Sequence, residues 1–459
     1  MHTDESINAY IIGGLLAGEK YQYDPQDRHG PALYLLAKPV AQLCGAKKFA
    51  DLTESQLRLS TVLTGAATVL LFGAGVEMFG FIPCLVAALL FAFGPLPIYY
   101  SRYFIHETLF VAATFGLIVS GWRAQKQHSI FFESLTGLCA ALMLATKETA
   151  VIHFFALGST VLFLFLWKQQ GKSGSFRLRI SFITLAVFVT VTVLLFTWGG
   201  QSWGALAGLF HAVPNFAARA GGQGHEKSFW YYARLLAGGW SGAVILIVAL
   251  IGLFRAARSP SSGARSVIAI YALLIAAIYS AIPYKTPWLA LNNLLPLAIL
   301  AGIAVEWLWL AWPRFSTRVL ISVFIAAIGF LMGHDTRERV FQIPADESNP
   351  YAYAHTGEDL LRLPARLEEL AQQIKISNPR IAVIAADPWP LPWYLRKFPQ
   401  VGFWQPDQET GPADFFATTT DVSEKLAAQL KNFRPEYFGV RPDVLLILWS
   451  PAPPPPAQP

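Results

Sequence analysis

Apolar residues run in long uninterrupted stretches along this chain, with polar residues confined to the breaks between them, so the alternation of half-buried strands is missing from most of its length. Ten such stretches fall at about 58–78, 82–97, 108–122, 131–146, 150–167, 180–198, 241–256, 266–282, 289–311 and 318–334. The longer ones match the ~20 residues that cross about 30 Å of hydrocarbon, and the shorter ones approach it. Ahead of them, residues 7–57 hold nothing long enough to span. The apolar part of the segment from Pro31 to Gly45 is broken by Lys38 and Pro39, which predicts a helix lying at the membrane interface.

The texture changes after about residue 335. Leu360, Leu361, Leu363, Leu367, Leu370 and Ile374 recur near helical spacing between Gly357 and Ile376. Arg380 to Ala385 then reads as a buried strand, Ser423 to Lys431 as a second helix and Val444 to Leu448 as another strand, which together predict a small α/β domain. The Pro-rich end, 451–459, predicts a disordered tail. The expected organisation is a first loop with interfacial helices (1–57), an α-helical polytopic membrane domain (58–334), the α/β domain (335–450) and the tail.

Loop charges orient these spans, because cytoplasmic loops collect Lys and Arg. Arg123 and Lys126, then Lys168, Lys172, Arg177 and Arg179, then Arg255, Arg258 and Arg265, then Arg314 and Arg318 occupy alternate loops, which assigns those four to the cytoplasm. By alternation the N-terminal stretch, Tyr99 to Glu107, Thr146 to Thr149, the loop 199–240, Ile282 to Trp288 and the C-terminal domain face the other side. The plasma (inner) membrane is the expected location, with the chemistry and the α/β domain outside the cytoplasm.

Composition agrees: 54% of the 459 residues are hydrophobic and only 14% are charged. The net charge of +6 lies in short loops where it sets orientation, so it does not indicate nucleic acid. Cys44, Cys84 and Cys139 are far apart, with no spacing that suggests a disulfide framework or thiolate metal site.

Five polar clusters converge on the extracytoplasmic side. The first six residues carry Asp4 and Glu5, which alone would read as a solvated turn or a helix start. Arg102 to Glu107 brings a cation, His106 and a carboxylate together; Glu107 suits a helix start, and the group could bind a metal or a phosphate-bearing headgroup. Lys147-Glu148 is an ion pair at a span end, functional or merely reaching for water. Lys285 lies between Pro283 and Pro287 in a non-helical loop that suits phosphate binding. Loop 199–240 holds a Gly-rich stretch with His225 and Glu226, whose pairing is a weak metal signal. In the first loop, Asp24 reads as an Asx-type cap and His29 as a turn residue.

Taken together, Asp4-Glu5, Tyr23-Asp24-Pro25 with His29-Gly30-Pro31, Ser101-Arg102-Tyr103 with His106-Glu107, Thr146-Lys147-Glu148-Thr149 and Pro283-Tyr284-Lys285-Thr286-Pro287-Trp288 resemble a known family. It is the bacterial and archaeal group of flippase-activity-associated membrane proteins, itself similar to the protein O-mannosyltransferase and aminoarabinose-transferase branch of the GT-C glycosyltransferases. The run from Asp387 to Arg396 in the tail is similar too. The resemblance implies a GT-C-like membrane fold and an enzyme that moves a sugar from a polyprenyl-phosphate donor to a glycan, lipid or protein acceptor. It carries the general base, or acceptor positioning, onto Asp4 with Glu5 beside it, and makes Glu107 a holder of acceptor, metal or donor phosphate. Arg102, Lys147 and Lys285 would neutralise the departing phosphate, and His106, Glu148, His225 and Glu226 would serve acceptor or metal, with a divalent cation as the one cofactor in view. The expected reaction is an inverting displacement; retention would need a second carboxylate as nucleophile.

Two other classes stay open: a transport-type protein that assists translocation of lipid-linked sugars, and a non-catalytic scaffold whose tail binds glycan. GT-C proteins also carry a span ahead of the catalytic loop, and Asp4 leaves no room for one, so an upstream segment is expected before Met1.

Overall fold

The computed structural model describes residues 1–26, 28–170, 181–222, 224–258, 263–426 and 430–452. The expected cytoplasmic Lys172, Arg177 and Arg179 and most of the Pro-rich tail lie outside the described residues.

The chain opens with α1 (Thr3–Leu16), where the first-turn acids begin a helix rather than a solvated turn. The His2 ring accepts the Asp4 N–H at 3.0 Å, and the Glu5 carboxylate accepts the His2 N–H at 3.1 Å. This reciprocal cap satisfies two amides that the helix leaves unpaired. α2 (Ala32–Leu43) is the short apolar helix expected between Pro31 and Gly45.

The ten apolar runs are all helical. α3 (Glu54–Leu71) continues through a 3₁₀ turn into α4 (Val76–Phe79). The second run is not one rod: α5 (Phe81–Phe93) and α6 (Pro95–Ser101) meet at 59° across Gly94. There follow α7 (Glu107–Gln127), α8 (Ile130–Thr146), α9 (Ala150–Gln170) and α10 (Phe182–Phe196). Two shorter helices, α11 (Ala205–Ala220) and α12 (Tyr231–Leu236), sit in the long loop before α13 (Gly239–Ala257), α14 (Gly263–Ala281), α15 (Ala290–Ala311) and α16 (Phe315–Thr336). Among the described residues six helices are long and apolar enough to cross a membrane singly, and seven if the bent pair forms one span.

Small residues let the central helices touch backbone to backbone, as membrane bundles require. A Cβ on Gly252 of α13 would fall 1.8 Å from the Leu300 carbonyl oxygen of α15, and one on Gly302 would fall 2.4 Å from the Pro83 Cα of α5. α15 is therefore clasped between α5 and α13. α16 stands at the periphery, burying only Met332 and Thr336.

Beyond a π-helical turn at Arg337–Gln342, α17 (Glu358–Gln373) buries Leu360, Leu363, Leu367 and Leu370 against a mixed sheet. Its strands are β1 (Arg380–Ile384), β2 (Gln400–Trp404), β3 (Phe415–Thr419), β4 (Phe433–Arg441) and β5 (Val444–Pro451), with α18 (Leu391–Tyr394) and α19 (Thr420–Leu426) in the connections. The order is β2-β1-β3-β5-β4, parallel around β1 and antiparallel around β5. The expected second helix is described as Thr420–Leu426; residues 427–429 of the expected segment lie outside the described residues.

Candidate active site

A cavity of about 230 Å³ opens where α1, the first loop, the N-terminus of α7, the α8–α9 junction, α11 and the C-terminus of α14 meet. Its polar wall is Asp4, Asn8, Arg28, His29, His106, Glu107, Lys147, Glu148 and Arg219, and its aromatic wall is Tyr34, Phe216, Tyr279, Tyr284 and Trp288.

Lys147 leaves the helical conformation at the end of α8 and reaches back to Glu107, with which it forms a buried ion pair. The sequence pairing of Lys147 with Glu148 is thus not the spatial one. Glu148 instead meets His29 Nδ1 at 2.7 Å and accepts the Tyr23 hydroxyl at 2.9 Å. Burial pushes the Glu148 carboxyl up, but His29 and these hydrogen bonds outweigh it and bring it down to about 2. His29 therefore does more than make a turn, and Gly30 explains how: a Cβ there would lie 2.2 Å from the Ala145 carbonyl oxygen, so only glycine lets the first loop press this close to α8. Asp24 keeps its expected turn role, accepting the Gln26 N–H at 2.9 Å.

His106 is buried, edge-on to His29 with ring centroids 4.9 Å apart, and its Nε2 has no hydrogen-bond partner. Burial first, then the neighbouring His29 and Lys147 charges, hold its imidazole well below the usual range and therefore neutral.

Asp4 and Glu5 diverge. Asp4 lines the cavity, and among the described residues its carboxylate makes no hydrogen bond or ion pair. Glu5 is fully buried off the cavity, taking Arg58 Nε and a terminal Arg58 nitrogen at 2.8 Å each and the Phe104 N–H at 2.9 Å. Burial raises its carboxyl, Arg58 more than reverses this, and the result is about 2. A carboxylate so completely satisfied is a poor proton acceptor, which corrects its expected place beside Asp4.

Four further sequence candidates stand away from the cavity. Arg102 donates to the Val340 carbonyl at 2.9 Å and lies 4.5 Å over the Phe341 ring, in contact with the π-helical turn. Lys285 is buried and its Nζ is held by the Ile282 and Lys227 carbonyls, where it clips two loops together instead of facing a phosphate. His225 bonds the Tyr353 hydroxyl, and Glu226 accepts the Gly224 N–H at 3.2 Å within its own loop. The cations that do line the cavity, beside Lys147, are Arg28 and Arg219. Arg219 donates to the Gln26 carbonyl, tying α11 to the first loop. Neither arginine stands in a motif-like run, so only the folding of α11 over the first loop reveals them.

Among the described residues the cavity does not gather three metal-ligating atoms within reach of one another, and Glu107 and Glu148 are engaged by Lys147 and His29. The one group whose ligand atoms lie within 4.8 Å of one another is His334, Asp335 and Glu338 at the end of α16.

No family model matches the sequence, and no curated protein matches it either. Solved structures do. ArnT from Cupriavidus metallidurans, bound to undecaprenyl phosphate, aligns over 97% of this chain and 93% of its own with a TM-score of 0.66 at 15% identity. The Archaeoglobus fulgidus oligosaccharyltransferase AglB, in complex with an inhibitory peptide and a dolichol-phosphate, aligns over 95% of this chain and 69% of its own with a TM-score of 0.63 at 11% identity. At such identities the likeness is one of fold: the chain has a GT-C-like fold with a small C-terminal domain.

Proposed function

We propose that the cavity transfers a sugar from a polyprenyl-phosphate carrier to an acceptor hydroxyl, with Asp4 as general base. The observation that carries this reading is that Asp4 is the cavity carboxylate with no partner among the described residues, whereas Glu107 and Glu148 are engaged by Lys147 and His29. The GT-C architecture, and the lipid phosphates bound by ArnT and AglB, support it.

The acceptor hydroxyl gives its proton to Asp4 while its oxygen attacks the anomeric carbon. The bond from that carbon to the phosphate oxygen breaks, and the electron pair leaves on the lipid phosphate. Arg28 and Arg219 stabilise the developing charge, replacing Arg102 and Lys285 in that role. Ile7, Ile105, Ile152 and Ile282 take the first isoprene units, and Tyr284 and Trp288 face the sugar. A single free carboxylate fits an inverting displacement, since retention needs a second one as nucleophile.

Asp4→Asn should cut transfer by about 10²- to 10⁴-fold with folding intact. The assay is transfer from a panel of undecaprenyl-phosphate-linked sugars in membranes expressing the protein, and undiminished transfer by the variant would refute the assignment.

A further inference from the structure

A larger apolar groove lies outside this site. It holds about 580 Å³ between peripheral α16 and the bundle, lined chiefly by Leu90, Val248, Ala301, Leu308, Phe324 and Met332. Along α16 it runs from Leu320 to Met332, about 18 Å at the helical rise, or a little over half of the roughly 30 Å hydrocarbon core. At the Met332 end it is closed: Thr336 donates to the Phe93 carbonyl at 2.7 Å, and Ser241 bonds Asp335.

The other end is charged. Leu308 lies between Trp307 and Trp309, and each tryptophan carries an arginine on its face, Arg255 at 4.9 Å and Arg318 at 5.2 Å. Arg265 nearby is satisfied by Glu306 at 2.5 Å, but Arg255 and Arg318 have no carboxylate partner among the described residues. Arg318 Nε is buried without any hydrogen-bond acceptor. An apolar slot about one leaflet deep, whose Leu308 is flanked in sequence by two arginine-capped tryptophans with no carboxylate on either arginine among the described residues, has the form of a phospholipid.

We propose that this groove holds an anionic glycerophospholipid, with its acyl chain along α16 and its phosphate between Arg255 and Arg318. Basic pockets between membrane helices take such headgroups. The lipid is not the polyprenyl donor of the cavity. Leu289, at the cavity end of α15, is 19 residues and therefore about 28 Å along the helix from Leu308. The headgroup sits on the face that the loop charges assign to the cytoplasm, and the bound chain supplies α16 with the packing its own side chains lack.

The test uses the full chain purified in detergent. Lipid extraction and mass spectrometry should find phosphatidylglycerol enriched over phosphatidylethanolamine, and added dioleoylphosphatidylglycerol should raise the unfolding temperature more than dioleoylphosphatidylcholine does. In Arg255→Gln/Arg318→Gln, retained phosphatidylglycerol should fall roughly 25-fold, the product of about fivefold for each arginine, and the thermal preference should vanish. Equal shifts by the two lipids, or retention unchanged in the double variant, would overturn the proposal. So would a groove that keeps only undecaprenyl phosphate regardless of the arginines. The wild-type lipid comparison decides the matter even if the double variant elutes as aggregate.

Discussion

One peptide bond separates Asp4 from Glu5, yet the first turn of α1 points them into different surroundings. Glu5 closes the helix cap, pairs with Arg58 and receives the Phe104 amide, so Glu5→Gln should destabilise the protein by about 3–5 kcal/mol. Asp4→Asn should leave the unfolding temperature unchanged, and thermal unfolding of the two variants separates structural from chemical carboxylate. These partners also set a pH dependence. Glu5 and Glu148 fall from an ordinary 4.5 to about 2 in the fold, so their stabilisation is whole above about 4.5 and is lost as pH falls toward 2. His106 is held neutral below its ordinary 6.5, so its contribution is present above 6.5 and declines as the unfolded chain takes up a proton below it. The unfolding temperature should therefore drop steadily from pH 7 downward, and His106→Gln should flatten the first part of that fall, between about pH 6.5 and 5.

At the scale of elements, the loops around the cavity are joined by backbone pairing that side-chain chemistry conceals in the sequence. The Lys227 N–H donates to the Pro283 carbonyl at 3.2 Å, and the Lys285 N–H donates to the His225 carbonyl at 3.1 Å. With Lys285 Nζ on the Ile282 and Lys227 carbonyls, the Gly-rich loop is fastened to the loop that carries Tyr284 and Trp288. Lys285→Met should unfasten it, and hydrogen exchange at the Lys227 amide should then quicken markedly with exchange in α15 unaltered. Apolar runs, loop charge and the leucine spacing of α17 were legible because membrane solvation and helical period write directly into composition. The bend at Gly94 and strands β2, β3 and β4 were not, since short strands take their register from neighbours distant in sequence. The same limit governed the site. Asp4, Glu107, Lys147, Glu148 and His106 were visible as charged or polar breaks in apolar runs. His29, Arg28 and Arg219, which share the cavity wall with them, come from segments that meet only after Gly30 and α11 have packed. Arg102 and Lys285 looked equally exposed to chemistry because nothing local shows that backbone carbonyls consume their protons.

In the whole molecule, the α/β domain decides where Asp4 can point. Helix α1 is held from the bundle side by Glu5 on Arg58, and from the other side by Ser6 Oγ donating to the Pro390 carbonyl at 3.4 Å and Arg441 reaching Thr3 Oγ1 at 3.3 Å. Arg396 stacks 3.7 Å over Trp393 and donates twice to the Leu52 carbonyl, at 3.1 and 3.0 Å, which fixes the domain to the start of the membrane bundle. None of these contacts lines the cavity, and none touches Arg28 or Arg219. Loosening them should therefore shift the base and leave the lipid-phosphate groups in position. Arg396→Ala/Arg441→Ala is expected to lower kcat by about 10- to 100-fold, the scale set by a misplacement of about 1 Å, with KM for the lipid donor nearly unchanged. A rise in KM at constant kcat would mean instead that the domain helps to hold the donor, and steady-state kinetics on the double variant distinguishes the two.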